Sequence, residues 1–285
     1  MANMLYFKPS SLNSASQLLI EHGETSCLLN GGTDVVVRLR EKLICPSAII
    51  DIKHISSLND ISFNKENGLS IGACANLGDI AHNKEVYENY SFLAEACETI
   101  GSGQIRNRAT LVGNICNASP LADTATPLLA LNAIVKIYSE GQIKDVPITE
   151  FFVGVRKTVL KQGEIVVGIQ IPYYENMKGV FYKNSRRKEV DLSTICATIV
   201  KIGDSFKVAL GAVAPTPIRA YKTEEYLHSN ISNLSLDVVT EAGKIAASEC
   251  SPIDDVRSSK DYRKEMVAVL VKRALIQILG LEVSR

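Results

Sequence analysis

The segment ETIGSGQIRNRATLVGNICNASPLAD, residues 98–123, constrains the fold of this chain more than any other feature. It lies between two apolar runs and is rich in glycine and in polar side chains. The glycines stand at positions 101, 103 and 113, and the polar residues at positions 102, 104, 107, 110, 114, 117 and 123. Glycine lets a backbone approach a ligand closely, and hydroxyl, amide and carboxylate groups supply directed hydrogen bonds. The segment predicts a binding loop for a large anionic cofactor, with a long capped surface loop as the alternative.

A second glycine loop, LLNGGTDVV, covers residues 28–36. Gly31 and Gly32 permit positive φ, so successive backbone N–H groups can converge on an anion, and a helix predicted to start at Thr33 would add its N-terminal dipole. The loop therefore predicts a pyrophosphate site, and an ordinary turn between a strand and a helix is the alternative. Neither loop is a Rossmann fingerprint, because G-x-G-x-x-G fails at Arg106, and no Gly-Lys-Ser/Thr occurs for a P-loop.

A third element, FYKNSRRKEVD, covers residues 181–191 and has two interpretations. Lysine and arginine on an edge strand commonly prevent aggregation, and this is the simpler interpretation. Alternatively, Lys183 places a cation beside an electron-accepting ring, where it stabilises the negative charge that reduction creates.

The charge balance excludes several classes of partner. The chain has 31 basic and 31 acidic residues, so it lacks the basic excess typical of proteins that bind nucleic acid or anionic membranes. The N-terminal residues lack the basic flank and apolar core of a signal peptide, and no apolar run reaches a membrane-spanning length. These features predict a cytoplasmic protein.

Cysteine and histidine show no pattern typical of a metal site. The seven cysteines form no C-x-x-C pair, and the four histidines are widely separated. This predicts no metal ligands and no iron–sulfur cluster in the chain, and it predicts that the cysteines are small buried residues in a reducing compartment. No Ser/His/Asp or Cys/His arrangement is present either, so we predict no catalytic acid, base or nucleophile.

Hydrophobic periodicity predicts an α+β chain. Helices are predicted from Leu12 to Gly23, after a Thr-Asp cap at residues 33–34, from Asn76, from Ser91 to Glu98, and over about 235–249 and 259–279. Strands are predicted over SCLL, SAIIDI, EIVVGIQI and the run after Gly179, with hairpin turns at Asn67-Gly68, Glu140-Gly141 and Gly203-Asp204. A boundary near residue 176 separates a domain over 1–175, with subdomains of about 1–55 and 56–175, from a C-terminal domain over 176–285.

Four segments, in their order and at their separations, resemble the FAD-binding subunit of molybdenum hydroxylases. These are NGGTDVVV, IGSGQIRNRATLVGNICNASPLAD, FYKNSRRKEVDLSTI and LGAVAPTPIRA, and SSKDYRKEMVAVLVKRAL is similar to the closing helix of that family. The resemblance covers nearly the whole chain. It implies a two-subdomain FAD-binding domain of the PCMH type, followed by an antiparallel sheet with helices of the CO dehydrogenase flavoprotein C-terminal type.

The resemblance also implies a function. FAD on this subunit would take electrons from a partner with [2Fe–2S] clusters and reduce NAD⁺, while a molybdenum-cofactor subunit hydroxylates the substrate. The segments look most like those of xanthine dehydrogenases, which implies xanthine or hypoxanthine as substrate and a heteromeric, dimerised complex without nucleic acid or membrane. The alternatives are the flavin subunit of a nicotinate, aldehyde or carbon monoxide dehydrogenase, and an assembly subunit that has lost its cofactor.

The resemblance assigns cofactor-binding positions residue by residue. The first pyrophosphate loop is Leu28, Leu29, Asn30, Gly31, Gly32, Thr33, Asp34 and Val35; the second is Thr110, Leu111, Val112, Gly113 and Asn114; the apolar contacts are Ile100 and Val166; the acid that holds a cofactor hydroxyl is Asp123; and the lysine near the flavin ring is Lys183. Val112 departs from the family, which usually has glycine there. Because valine resists positive φ, we expect an extended residue or an altered loop at this position.

Overall fold

The computed structural model describes residues 4–282. The first unit is a small parallel sheet with two helices. Its elements are β1 (Leu5–Phe7), α1 (Leu12–His22), β2 (Ser26–Leu29), α2 (Val35–Arg40) and β3 (Ala48–Asp51), and the strand order is β1-β3-β2. The predicted first helix is confirmed: the Ser11 hydroxyl accepts the N–H of Ser14 at its start, and Gly23, with φ 59°, ends it. Strand β1 has no counterpart among the predicted elements.

The second unit is an antiparallel sheet with helices. Its elements are β4 (Ile61–Asn64), β5 (Gly68–Gly72), α3 (Leu77–His82), α4 (Lys84–Asn89), α5 (Ser91–Glu98), α6 (Gly103–Arg106), α7 (Leu111–Cys116), α8 (Ala125–Ala130), β6 (Ile134–Ser139), β7 (Gln142–Pro147), α9 (Ile148–Phe151), β8 (Phe152–Gly154), β9 (Lys157–Thr158) and β10 (Ile165–Ile171). Strand order in the main sheet is β4-β5-β10-β6-β7, and β8 pairs with β9 separately. The hairpins predicted at Asn67-Gly68 and Glu140-Gly141 are confirmed.

Segment 98–123 contains two short helices, α6 and α7, where the sequence predicts a single binding loop. Each helix starts at a hydroxyl residue: Ser102 accepts from the N–H of Ile105, and Thr110 accepts from the N–H of Gly113. Two of the polar side chains in this segment therefore cap helices. The glycines and caps fold the segment into compact turns that place Thr110 and α7 at a fixed position.

The third unit is an antiparallel sheet backed by helices. Its elements are β11 (Lys178–Asn184), β12 (Ile195–Ile202), β13 (Ser205–Gly211), β14 (Ile218–Arg219), α10 (Tyr221–Ser229), α11 (Leu236–Ser248) and α12 (Lys260–Leu279), with strand order β11-β12-β13-β14. The apolar stripe of α12 is buried against this sheet, as the periodicity predicts, and forms a core with α11. This core is distinct from the larger core, which lies in the first two units and extends to Phe181, Cys196, Val200 and Ala209 on the other face of the sheet.

The third unit packs directly on the second. A Cβ added at Gly179 in β11 would lie 2.3 Å from the ring of Phe92 in α5, so the strand and the helix are in close contact. Thr198 in β12 and Thr126 in α8, both buried, share a hydrogen bond of 2.9 Å. The sheet therefore has α5 and α8 on one side and α11 and α12 on the other.

Candidate binding cleft

A cleft of about 600 Å³ lies between the first two units and is lined by both predicted loops. Its volume is in the range of small-molecule and cofactor sites. The predicted residues that line it are those at 30–35 and 112–114, together with Leu28, Ile100, Thr110 and Val166. The four other predicted residues, Leu29, Leu111, Asp123 and Lys183, do not line it. The structure thus brings together two segments that are separated by about 75 positions in the sequence.

Gly31 lies where the two loops meet. A Cβ at this position would lie 2.2 Å from the carbonyl oxygen of Arg108 and 3.0 Å from the Cα of Ala109. No side chain larger than hydrogen fits without moving the backbone of the second loop. Gly32 has φ +79°, a left-handed conformation that glycine adopts at little cost. Gly31 is therefore needed for steric reasons and Gly32 for its backbone conformation.

The backbone N–H groups of the first loop are free to donate hydrogen bonds. Within residues 4–282, no hydrogen bond uses the N–H groups of residues 31–35. Helix α2 begins at Val35 and not at Thr33, and the predicted Thr-Asp cap is wrong because the Asp34 side chain makes no capping bond. Asp34 instead faces Arg38 at 3.9 Å and Arg156 at 3.4 Å. Consecutive free N–H groups that line a cleft are suited to an anion such as a pyrophosphate.

Asn30 adds a polar atom without a partner. Its Nδ2 donates to the carbonyl oxygen of Ala73 at 2.5 Å, but its Oδ1 is buried and has no hydrogen bond with any other described residue. Buried acceptors are nearly always satisfied in folded proteins. Since Asn30 lines the cleft, a ligand donor can satisfy this oxygen. The free N–H groups of the first loop and the free acceptor of Asn30 therefore fit a large polar cofactor.

Val112 is compatible with the second loop, contrary to the expectation of an extended or altered loop. It lies in the first turn of α7, is 3% exposed, and is not among the positive-φ residues. A helical backbone accepts valine readily, and the side chain packs into the core of the first two units. A valine at position 112 is thus accommodated inside a helix.

Lys183 and Asp123 pair with each other beside the cleft. Lys183 Nζ lies 2.8 Å from Asp123 Oδ2 and 2.9 Å from the carbonyl oxygen of Thr99, and the Ser193 hydroxyl donates to Asp123. Strand β11 is an edge strand, yet the edge-protection interpretation is wrong for Lys183, because its side chain is only 9% exposed. Thr99 immediately precedes Ile100, which lines the cleft, so the pair is bonded to the backbone next to the cleft wall.

Glu164 also lines the cleft, although no sequence motif indicates it. Its side chain is 6% exposed and lies 2.5 Å from Lys144 Nζ. Burial raises the pKa of Glu164, but hydrogen bonds from Lys144, the N–H of Lys161 and Ser139 outweigh burial and hold its pKa below the ordinary value. No local pattern marks this residue, because its partners come from β6, β7 and the turn before β10.

The cysteines follow the prediction only in part. Cys74, Cys97, Cys196 and Cys250 are buried, whereas Cys45 is exposed, so the prediction is wrong for Cys45. Burial raises the pKa of the Cys116 thiol at the cleft to about 12, which disfavours a reactive thiolate. Within residues 4–282 there is no group of His, Cys, Asp and Glu suited to a metal ion. Over the same residues, no helix is both long and apolar enough to cross a membrane.

The two loops line one cleft, and the free N–H groups of the first loop are suited to an anionic ligand. Residues 2–174 match the family model "FAD binding domain in molybdopterin dehydrogenase", and residues 180–278 match "CO dehydrogenase flavoprotein C-terminal domain". The chain therefore belongs to the family of FAD-binding subunits of molybdenum hydroxylases.

Individual relatives align over almost their whole length. The xanthine dehydrogenase FAD-binding subunit of Escherichia coli O157:H7 is 30% identical over 283 residues, which cover 96% of each chain. The glyceraldehyde dehydrogenase medium chain of Sulfolobus acidocaldarius is 31% identical over 277 residues, 96% of this chain and 97% of the other. The structure of a carbon monoxide dehydrogenase from Hydrogenophaga pseudoflava has a TM-score of 0.92 at 29% identity and covers 98% of both chains. These names give three substrates, so the comparisons establish the family and not the substrate.

Proposed function

We propose that this chain carries FAD as the electron-exit subunit of a heteromeric molybdenum hydroxylase and reduces NAD⁺ during purine hydroxylation. The observation that supports the cofactor part of the proposal is the row of free N–H groups at residues 31–35, which line the same cleft as Thr110 and residues 112–114 of α7. FAD, when bound, accepts electrons singly and passes them on in pairs, which suits a junction between iron–sulfur clusters and a nicotinamide.

The residues of the chain bind and orient this cofactor. The first loop supplies main-chain donors for the diphosphate, Asn30 Oδ1 accepts a hydrogen bond from the ligand, and Ile100 and Val166 supply apolar contact. We assign Asp123 and Lys183 to the flavin end, where their pairing holds the Thr99–Ile100 backbone in place. Gly31 keeps the loops close enough to act together. Hydride transfer from a reduced flavin needs no further acid or base from these residues.

The purine substrate is supported by the resemblance of QIRN…GNICN and DLSTI…APTPIRA to xanthine dehydrogenases. Relatives named for glyceraldehyde and for carbon monoxide are as similar to this chain as the xanthine dehydrogenase subunit is. The substrate therefore has to be identified by an activity measurement. We propose that molybdenum and [2Fe–2S] subunits complete the complex and that two such assemblies pair. The alternative of a cofactor-free assembly subunit depended on Val112, and the helical position of Val112 removes that argument.

The test uses the native complex purified through a tag on this chain. Under anaerobic conditions, xanthine or hypoxanthine is expected to yield NADH from NAD⁺, with NADP⁺ as the acceptor control. Oxidation of glyceraldehyde, nicotinate or carbon monoxide without purine turnover would contradict the purine assignment. Flavin reduction without NADH formation would contradict the assignment of the acceptor.

A further inference from the structure

The turn between β8 and β9 places an arginine at the rim of the cleft. Arg156 has φ 55°, and its N–H donates at 2.9 Å to the carbonyl oxygen of Ala118, which has φ 46°. Ala118 lies two residues beyond α7. Positive φ is uncommon outside glycine, and a hydrogen-bonded partner helps to hold such a residue in place. Two such residues, joined by a hydrogen bond, fix Arg156 against the second loop.

The side chain of Arg156 extends between the two loops. Its Nη1 lies 2.6 Å from Asn117 Oδ1, just after α7, and 3.4 Å from Asp34 Oδ2 in the first loop. The side chain is 47% exposed and forms part of the cleft wall. The guanidinium is therefore positioned beside the free N–H groups at residues 31–35.

The donors of this guanidinium are only partly used. Among the described residues, Nε and Nη2 of Arg156 make no hydrogen bond, and its sole anionic neighbour is Asp34, which also lies 3.9 Å from Arg38. Two guanidinium groups thus share one carboxylate. A guanidinium presents a planar set of five donors that matches phosphate oxygens in a bidentate manner. The weak contact at 3.4 Å is one that a diphosphate can replace.

We propose that Arg156 binds the diphosphate of the dinucleotide, exchanging its contact with Asp34 for phosphate oxygens while Asn117 keeps hold of Nη1. The inference deepens the proposed FAD site and depends on it. It adds a charged side chain to a site otherwise built from main-chain N–H groups.

The test compares ADP with adenosine, which lacks the diphosphate, by calorimetric titration of the flavin-free full chain. Arg156→Asn is the informative variant, because asparagine tolerates positive φ better than most residues. We expect it to weaken ADP binding by about ten- to a hundredfold, the range of a charge-assisted hydrogen bond, and to leave adenosine binding within about twofold. Arg156→Lys keeps the charge without the planar donors and is expected to lie between Arg156→Asn and the unmodified chain.

Lys157→Asn is the matched control, since it removes a neighbouring exposed cation that does not line the cleft. It is expected to change neither affinity. Equal weakening of ADP and adenosine by Arg156→Asn, or an unchanged ADP affinity, would overturn the assignment of Arg156. FAD binding by the unmodified chain separates the two proposals: if it binds FAD and Arg156→Asn does so equally well, only the Arg156 inference fails. If the unmodified chain binds neither FAD nor ADP, the proposed function fails and the inference with it.

Discussion

Lys183 Nζ lies 2.8 Å from Asp123 Oδ2, and the two side chains are 9% and 6% exposed. The pair joins β11 of the third unit to the segment that precedes α8 in the second. Removing one member of a buried pair leaves an uncompensated charge in a poorly solvated site, and this is more costly than removing both. The pair therefore stabilises the contact between the second and third units, and through Thr99 it also fixes the backbone next to the cleft.

Lys183→Met is expected to lower the free energy of unfolding of the flavin-free chain by about 3–5 kcal/mol, because Asp123 keeps its charge and loses its cation. FAD retention should fall as well, since the Thr99 carbonyl loses its donor. Urea denaturation and flavin content after gel filtration measure the two effects. The control is Lys178→Met, at an exposed position of the same strand. A Lys183→Met protein with unchanged stability, flavin content and NADH formation in the complex would exclude this role.

Gly31→Ala is expected to separate the two loops, because the new Cβ would lie 2.2 Å from the Arg108 carbonyl oxygen. Overpacking of this kind costs about 1–3 kcal/mol, and if this cost falls on the binding conformation, FAD affinity should fall by about five- to 150-fold. Gly103→Ala is the matched control, since a Cβ there has no neighbour within 4 Å. Fluorescence titration with FAD compares the two variants. Equal affinities would show that the contact between the loops does not matter for binding.

Val112→Gly tests whether the family glycine is needed at this position. Loss of a buried valine from a helix should lower the free energy of unfolding by about 2–4 kcal/mol, and Val112→Ala should cost less because alanine favours the helix. FAD affinity should stay within a few fold, since the backbone is already helical. A large gain in FAD affinity for Val112→Gly would mean that valine distorts the binding loop.

Stability at acid pH should depend on Glu164. Its pKa is lowered in the folded chain, so its contribution is fully present above the ordinary carboxylate range, about pH 4.3, and is lost as the pH falls through the lowered value. Urea midpoints from pH 7 to pH 3 should show Glu164→Gln less stable at pH 7, with the difference shrinking towards pH 3. Glu225→Gln, at an exposed position, gives the control curve. A difference between Glu164→Gln and the unmodified chain that is constant across this range would contradict the prediction.

The sequence predicted the parts of the site that depend on local chain chemistry. Gly32 needs its positive φ within its own turn, so its role is visible in one segment, whereas the close contact of Gly31 with the Arg108 carbonyl oxygen and the capping role of Thr110 became clear only in the structure. Arg156 and Ser193 were missed because they act across the fold: Arg156 contacts a carboxylate 122 positions away, and Ser193 one 70 positions away. The edge-strand interpretation of Lys183 failed for the same reason, since only the packing of the third unit on the second shows which way its side chain points.

The most direct test of the account is the flavin content of the purified chain after incubation with FAD and gel filtration, with riboflavin in parallel. The chain is expected to retain an equimolar amount of FAD, seen in its visible absorption spectrum, and to retain no riboflavin, because riboflavin has no diphosphate for the two loops. A chain that stays colourless with FAD, or that retains riboflavin equally well, would contradict the assignment of the cleft as a site for FAD.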